Sequence, residues 1–315
     1  MDTTETYDFE TALRVDESGF LARLAALPHS YDGPDGLREE PYGLMAYGEA
    51  ASVPGVFRAW VDAPLVLSGT QFFFVGGFDY GDAAPLKVNT ELVGAEVVVL
   101  GHGLHAPDLP VAPDSLSFYT YASYLAYATG HGEALTAANE VMADLVNLVR
   151  PEIETGQNPA KTLAWQLWNR VPLLVAGRQQ SGLVSLVQRV FARVGKSLAF
   201  TAGEHPLEVL AGALEARHQF GDDMVALVLG EEDEEAALAV ELLETRVAQV
   251  ERLSLPFGGI GAGLKDSGAE AIVLWYLSTW VAAYLSLLHK LEPLDTEVYN
   301  ALRGAAPLKD EGELN

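Results

Sequence analysis

Cysteine is absent from all 315 residues of the chain, and basic residues are scarce. Without cysteine the chain has no disulfides, thiolate metal sites or cysteine nucleophile, a composition typical of a cytoplasmic protein. Acidic side chains outnumber basic ones by 44 to 19, which gives a net charge of −25. Because such a surface repels phosphate backbones and anionic headgroups, we expect neither a nucleic acid nor a membrane as a partner.

Long apolar runs are also rare, and only one of them reaches the length of a membrane-spanning helix. The first twenty residues contain no apolar run, so the sequence predicts no signal peptide. Residues 271–288 carry no charge, yet Trp275 and Trp280 lie inside this run rather than at its ends, where a spanning helix carries its aromatic belt. We therefore expect a helix buried in a large core or in a subunit interface.

Short apolar runs alternate with longer amphipathic ones along most of the chain, which is the pattern of parallel sheets with helices on both faces. The predicted elements are strand 42–47, helix 50–61, strand 71–77, helix 82–93, strand 95–100, helical segments over 118–149, strand 171–177, helix 181–197, strand 224–230, helix 234–247, strand 248–254 and helix 271–288. We therefore predict an α/β protein with two similar halves, residues 1–150 and 151–315.

One segment of the chain lacks acidic residues. The 49 residues between Glu154 and Glu204 contain no Asp or Glu, although the average composition would place about seven there. The turn at Arg178 and Ser181 lies in this segment before a predicted helix, and its guanidinium and hydroxyl groups predict a phosphate or carboxylate site. The alternative is that the bases pair with acids across an interface. The segment contains six bases: Lys161, Arg170, Arg178, Arg189, Arg193 and Lys196.

Glu204 and His205 lie side by side directly after this segment, at the start of a predicted helix. A histidine beside a phosphate site can transfer protons near neutral pH, so both residues are candidate catalytic groups. The alternative is a surface histidine that precedes a proline. His102 and His105 form an H-x-x-H pattern in a loop, which is a weak metal signal, and the sequence predicts neither a metal nor a cofactor.

The layout resembles the sugar isomerase (SIS) fold, and within it the bifunctional phosphoglucose/phosphomannose isomerases of bacteria and archaea. The resemblance runs from about Tyr42 to Leu302. It rests on "NPAKTLAWQL" before "RVPLLVAG", on "QFGDDMVALVLG" and on "TWVAAYLSLLHKLEPLDTEVYNALRG". It implies two SIS-type αβα sandwich halves, a cytoplasmic homodimer, and conversion of glucose-6-phosphate or mannose-6-phosphate to fructose-6-phosphate.

The resemblance also shows where this chain departs from the family in the turns that bind the sugar phosphate. The family's G-x-G-G-S-G turn corresponds to "AYGEAA", which keeps Gly48 but has Glu49 and Ala50 in place of a glycine and the serine. The S-x-S-G-x-T turn corresponds to "FDYGDA", which keeps Gly81 and none of the three motif hydroxyls. The expected phosphate- or sugar-binding residues are Gly48, Glu49, Gly81, Arg178, Ser181, Arg193 and Lys196.

The catalytic positions depart from the family as well. The N-E-x-x-E-N-x-x-K helix corresponds to "VQRVFARVGKS", which keeps Lys196 but has Val190 and Arg193 at the glutamate positions. His205 corresponds to the ring-opening histidine, and Tyr284 replaces a lysine of the closing helix. Since aldose–ketose isomerisation needs a carboxylate base, we expect weak or absent activity.

Glu49, Glu204 and Glu208 are the alternative positions for a relocated base. The sequence therefore leaves three alternatives open. The chain is a weak phosphosugar isomerase, a non-catalytic phosphosugar-binding or regulatory protein, or a structural dimer without a ligand.

Overall fold

The computed structural model describes residues 16, 18–76, 80–102, 107–214 and 223–293, with the backbone alone at 80–84. In these ranges the strands form two four-stranded sheets in which all neighbours are parallel. The strands are β1 (Tyr42–Gly48), β2 (Thr70–Gly76), β3 (Glu96–Gly101), β4 (Leu109–Pro110), β5 (Val171–Ala176), β6 (Phe200–Thr201), β7 (Met224–Leu229) and β8 (Gln249–Leu253). The strand order is β1–β2–β3–β4 in the first sheet and β6–β5–β7–β8 in the second.

The helices connect these strands and cover the sheets. They are α1 (Phe20–Ala25), α2 (Val53–Val56), α3 (Tyr80–Val93), α4 (Ser117–Ala128), α5 (Gly132–Val149), α6 (Pro159–Leu167), α7 (Ser181–Arg193), α8 (Pro206–Ala213), α9 (Glu234–Glu244) and α10 (Ser267–Leu288). The six predicted strands are confirmed with their ends shifted by one residue or less, and so is the predicted α/β fold with a long apolar C-terminal helix. Helices α1 and α6 and strands β4 and β6 are not among the elements that the sequence predicts.

The predicted helix over residues 50–61 is wrong over most of its length, because only α2 forms there. The backbone N–H groups of residues 50 and 51 donate to the carbonyls of Tyr47 and Gly48, which gives turns rather than helix. Past the helix, Phe57 stacks on both Trp60 and Phe118 in the core. Burial of these aromatic rings outweighs the local helical pattern, which is weak in so short a segment.

One large core joins the facing sides of the two sheets around α10. It includes Phe72 and Leu100 from the first sheet and Leu174 and Leu227 from the second. Helix α10 packs against α5, α6 and α7. By length and composition α10 could cross a membrane, but its apolar window is completely buried within this chain. The expectation of a buried helix is confirmed.

The buried position of α10 also bears on the predicted homodimer. Trp275, Trp280 and Tyr284 are fully buried by the chain's own side chains. The helix therefore offers no apolar face to a second subunit, since its burial is complete within one chain. The homodimer, the cytoplasmic location and the boundary at residue 150 stay predictions.

Candidate functional site

The first part of the candidate site lies at the carboxyl ends of β1, β2 and β3. Gly48 ends β1 with a φ of 61° and pairs in register with Gly76 at the end of β2. A Cβ on Gly76 would lie 2.9 Å from the Cβ of Glu49 and 3.3 Å from Cε1 of His102, so only glycine fits there. Ligands of parallel α/β sheets bind at this edge, and here it places Glu49 beside His102.

Helix α7 reaches this edge from the second half of the chain because two glycines let it approach α2 closely. A Cβ on Gly182 would lie 2.1 Å from the carbonyl carbon of Gly55, so any larger residue would push the helices apart. Arg189 and Arg193 follow on α7 at a spacing of four residues, which places both on one face of the helix. The contact therefore determines where two guanidinium groups of the second half lie.

The two arginines bind the turn after β1. Nη1 of Arg189 donates to the carbonyl oxygens of Gly48 at 3.0 Å and Glu49 at 2.8 Å. Nη1 of Arg193 donates to Oε2 of Glu49 at 3.1 Å, and Nε2 of His102 lies 3.7 Å from the same oxygen. We call Glu49, His102, Arg189 and Arg193 the Glu49 cluster.

The Glu49 cluster is largely shielded from solvent. The side chains of Glu49, His102 and Arg193 are 12%, 6% and 23% exposed. Charges attract each other more strongly away from bulk water, and the cost of removing both from water offsets part of that attraction. Burial raises the pKa of Tyr121, and the charge of the nearby Glu49 raises it further, so the phenol stays protonated at neutral pH.

An open cleft lies beside the cluster. Helix α7 contributes aliphatic side chains and two guanidinium groups to the cleft, and no carboxylate. The cleft therefore combines aromatic walls, two guanidinium groups and hydroxyls, which suit a sugar and an anionic group, with the carboxylates of Glu49 and Asp114. It is lined by Glu49, Val53, Asp114, Ser115, Ser117, Phe118, Tyr121, Leu186, Arg189, Val190, Arg193 and Trp275.

The turn at Arg178, which the sequence predicts as an anion site, already contacts two carboxylates. The backbone N–H of Arg178 donates to Oδ2 of Asp233 at 2.7 Å, and its guanidinium lies 3.5 Å from Oε2 of Glu235. Backbone hydrogen bonds from Arg178 and Ala236 lower the pKa of Asp233, which stays charged. Ser181 Oγ donates to the Arg178 carbonyl at 3.0 Å. A ligand anion at this turn would therefore meet two negative charges.

The structure also separates groups that the sequence analysis combined into one anion site. Arg193 lies twelve residues beyond Ser181 on α7, about 18 Å along the helix at 1.5 Å per residue. Lys196 lies past the same distal end, where its Nζ donates to the Arg193 carbonyl at 2.5 Å. Arg178 and Ser181 therefore do not meet Arg193 or Lys196 at a common ligand.

His205 and Glu204, the candidate catalytic pair, point to different partners on the surface. Nδ1 of His205 lies 3.6 Å from Oε2 of Glu235, and Oε1 of Glu204 accepts from Arg58 Nη2 at 2.8 Å. Both side chains are more than half exposed. The carboxylate that accompanies His205 in the described structure is Glu235, and not the expected Glu49, Glu204 or Glu208.

Three further sequence positions lie away from the cleft or are only partly described. Gly81 lies in the first turn of α3, which begins two residues before the predicted start. Tyr284 is buried in the core, where its hydroxyl donates to the Val149 carbonyl at 2.5 Å. His105 lies outside the described residues. Among the residues that are described, no group of three or more His, Asp or Glu side chains could hold a metal ion.

Arg189, His102 and the serines of the cleft are site residues that the sequence did not predict. Arg189 was counted among the six bases, and its spacing of four from Arg193 on a predicted helix is a usable signal. His102 lies two residues past the predicted strand 95–100, which indicates a place at the carboxyl edge of the sheet. Ser115 and Ser117 lie at the start of α4, beyond a loop, and no local pattern points to them.

Two parallel sheets that share a core, with a cleft at the carboxyl edge of one, define an α/β protein of two like halves. The family model of the phosphoglucose isomerase N-terminal domain matches residues 20–130, and that of the bacterial phospho-glucose isomerase C-terminal SIS domain matches residues 156–305. A comparison with curated protein sequences gives no match.

Solved structures agree with the family models. A glucose-6-phosphate isomerase-like protein from Thermus thermophilus shares 33% identity with a TM-score of 0.78, over 92% of this chain and 97% of that one. The chain therefore belongs to the SIS-type phosphoglucose isomerase family, as the sequence predicts.

More distant structures share the fold alone. Glucosamine-6-phosphate deaminase from Thermotoga maritima matches at 10% identity and a TM-score of 0.55, over 90% of this chain and 96% of that one. Tagatose-6-phosphate ketose/aldose isomerase from Escherichia coli matches at 12% identity and a TM-score of 0.55, over 90% of this chain and 91% of that one.

Proposed function

We propose that this protein binds a hexose phosphate in the cleft beside the Glu49 cluster and isomerises it slowly or not at all. The ligand class follows from the family, whose members include the glucose-6-phosphate isomerase-like relative. The candidates are glucose-6-phosphate, mannose-6-phosphate and fructose-6-phosphate. The cleft supplies the matching groups, because Arg189 and Arg193 attract a phosphate and Phe118 and Trp275 offer apolar faces to a sugar ring.

One observation carries the catalytic part of the proposal: α7 presents Val190 and Arg193 to the cleft, and no carboxylate. Isomerisation moves a proton between C1 and C2 of the sugar through an enediol, and a positioned base contributes about 10²–10⁴-fold. A guanidinium stabilises the negative charge of an enediolate, but it cannot accept a proton because it stays protonated. Binding thus persists while the proton transfer lacks its base.

A second candidate function rests on Glu49, which lines the same cleft. Its carboxylate belongs to the residue type that the reaction requires, and a base in this position would make the protein an active isomerase. The ion pair with Arg193 opposes this role, since a carboxylate held by a guanidinium is a weaker base.

Deuterium exchange and ligand-induced stabilisation test the two functions separately. The protein is incubated with glucose-6-phosphate in D₂O for hours, and deuterium at C2 is measured by NMR. We expect slow incorporation, or none, beyond the protein-free control. Rapid incorporation in the wild type that Glu49→Gln abolishes would establish the isomerase instead.

Binding is measured as a shift of the melting temperature. At a hundredfold excess over its dissociation constant a ligand stabilises by about 2.7 kcal/mol, which corresponds to about 4 °C for a chain of this length. Arg193→Gln removes the shift, whereas the matched control Arg178→Gln, which breaks another Arg–Glu pair, retains it. Absence of a shift with all three hexose phosphates would refute binding, and loss of the shift in Arg178→Gln alone would move the site to that turn.

A further inference from the structure

The turn after β1 contains an acid at the position where a phosphate would be expected. Its backbone cannot act as an anion cradle, because each N–H from residue 49 to 51 donates to a carbonyl of the chain. The acceptors of these three bonds are the carbonyls of Gly76, Tyr47 and Gly48, each at 3.2 Å. Helix α2 has only four residues, so it provides no N-terminal anion site either. Among the described residues, Arg189 and Arg193 of α7 donate hydrogen bonds to this turn, and His102 lies beside it.

The side chain of Glu49 takes a defined position among those groups. Its Cβ packs against Gly76, its backbone carbonyl accepts from Arg189, and its Oε2 accepts from Arg193. Packing, backbone contact and ion pair thus hold the carboxylate at the cleft wall. A phosphate that reached Arg193 would have to share the guanidinium with this carboxylate and would stand beside its charge.

We propose that Glu49 determines the phosphate affinity of the cleft, because its carboxylate is a built-in anion that competes with the phosphate of the ligand for Arg193. The inference deepens the proposed function and rests on it for the location of the binding site. Glu49 weakens binding through the phosphate and leaves binding through the uncharged sugar unaffected. The cleft of this chain therefore discriminates less between a sugar and its phosphate ester than a cleft without the carboxylate.

Isothermal titration calorimetry at pH 8 with inorganic phosphate, glucose-6-phosphate and glucose tests the proposal. Glu49→Gln keeps the side-chain shape and an acceptor for Arg193 while removing the charge. We expect it to tighten the binding of inorganic phosphate and glucose-6-phosphate at least tenfold, equivalent to about 1.4 kcal/mol, and to leave glucose unchanged. If the glutamine variant does not fold, Glu49→Ala replaces it, because alanine keeps the Cβ that packs on Gly76, and we expect the same gain in phosphate affinity.

Glu235→Gln is the matched control, since Glu235 also pairs with an arginine and its removal changes the net charge equally. We expect less than a twofold change from it. In the double variant Glu49→Gln/Arg193→Gln the gain disappears, because the competition needs Arg193. Phosphate affinity that is unchanged or weaker in Glu49→Gln would overturn the proposal. So would an equal gain in Glu235→Gln, or a gain that persists in the double variant.

These outcomes separate this proposal from the function on which it rests. A wild type without affinity for any hexose phosphate, together with a Glu49→Gln variant that binds inorganic phosphate, refutes the proposed function and supports the role of Glu49. A wild type that binds glucose-6-phosphate, with the same affinity in Glu49→Gln, supports the proposed function and refutes the role of Glu49.

Discussion

Lys161 is a buried cation at the junction between the two halves, and its replacement by methionine tests how the junction is held. The side chain is 3% exposed. Its Nζ donates to the carbonyl oxygens of Pro151 at 2.5 Å and Ile153 at 2.7 Å, and it lies 5.6 Å from the centre of the Tyr284 ring. These two carbonyls belong to the segment that joins α5 to α6.

The magnitude of the effect follows from opposing terms. Methionine keeps the length of the side chain but removes two hydrogen bonds from a charged donor, each worth about 1.5–3 kcal/mol. It also removes the cost of burying an ammonium group, which offsets part of this loss. We expect Lys161→Met to lower the free energy of unfolding by about 2–3 kcal/mol, or the melting temperature by about 4 °C.

The pH dependence of the unfolding free energy provides a second test of the role of Lys161. Burial lowers the pKa of Lys161, so the native state releases this proton more readily than the unfolded chain does. Wild-type stability therefore rises relative to Lys161→Met as the pH increases from the lowered pKa toward about 10.4, the value of the unfolded chain. The difference in unfolding free energy between the two proteins widens over that window.

Urea unfolding followed by circular dichroism at pH 7 to 10 measures both effects. Lys265→Met is the control, because Lys265 is exposed and its loss changes the net charge equally. We expect less than about 0.5 kcal/mol from the control. If Lys161→Met is as stable as the wild type, the free energy of desolvating the ammonium group equals the free energy of its two hydrogen bonds, and the reasoning is refuted.

Two further predictions concern the core and the approach of α7. Burial raises the pKa of Tyr284, so this residue contributes stability that is lost as the pH rises above about 10, the pKa of tyrosine in the unfolded chain. We therefore expect the unfolding free energy of Tyr284→Phe to fall less steeply at alkaline pH than that of the wild type, by up to about 1.4 kcal/mol per pH unit. Urea titration at pH 9 to 11 measures the difference. Gly182→Ala forces α7 away from α2, so we expect about 1–3 kcal/mol of destabilisation and loss of the glucose-6-phosphate melting shift. Gly212→Ala, where a Cβ meets no atom within 4 Å, should retain that shift, and an unchanged Gly182→Ala protein would contradict the role of the glycine contact.

The strands were predictable because their signals are local. Apart from Gln71, the runs "QFFFVGG" and "VPLLVAG" contain no polar side chain, as strands buried on both faces require, and both form central strands of the sheets. The helix over residues 50–61 failed for the converse reason. Its pattern was local, but Phe57 and Trp60 pack against Phe118 and the core, and that packing is decided by residues distant in the chain.

The candidate site was less predictable than the fold. The sequence identified Glu49 and Arg193 as altered family positions, but it did not show that the anion site predicted at Arg178 has two carboxylate neighbours, Asp233 and Glu235, more than fifty residues away in the chain. An acid-free segment in sequence is therefore no guide to the charge around it in space.

The sequence by itself determined the alternation of buried strands and amphipathic helices, the absence of cysteine chemistry, and the loss of the carboxylate from α7. These properties depend on residue type and on spacing along the chain. Only the tertiary structure decided that Glu49 faces Arg193, since the two residues are 144 positions apart. Their pairing requires the glycine contact between α2 and α7 and the shared edge of β1 and β2, and no local pattern encodes the distance between segments so far apart.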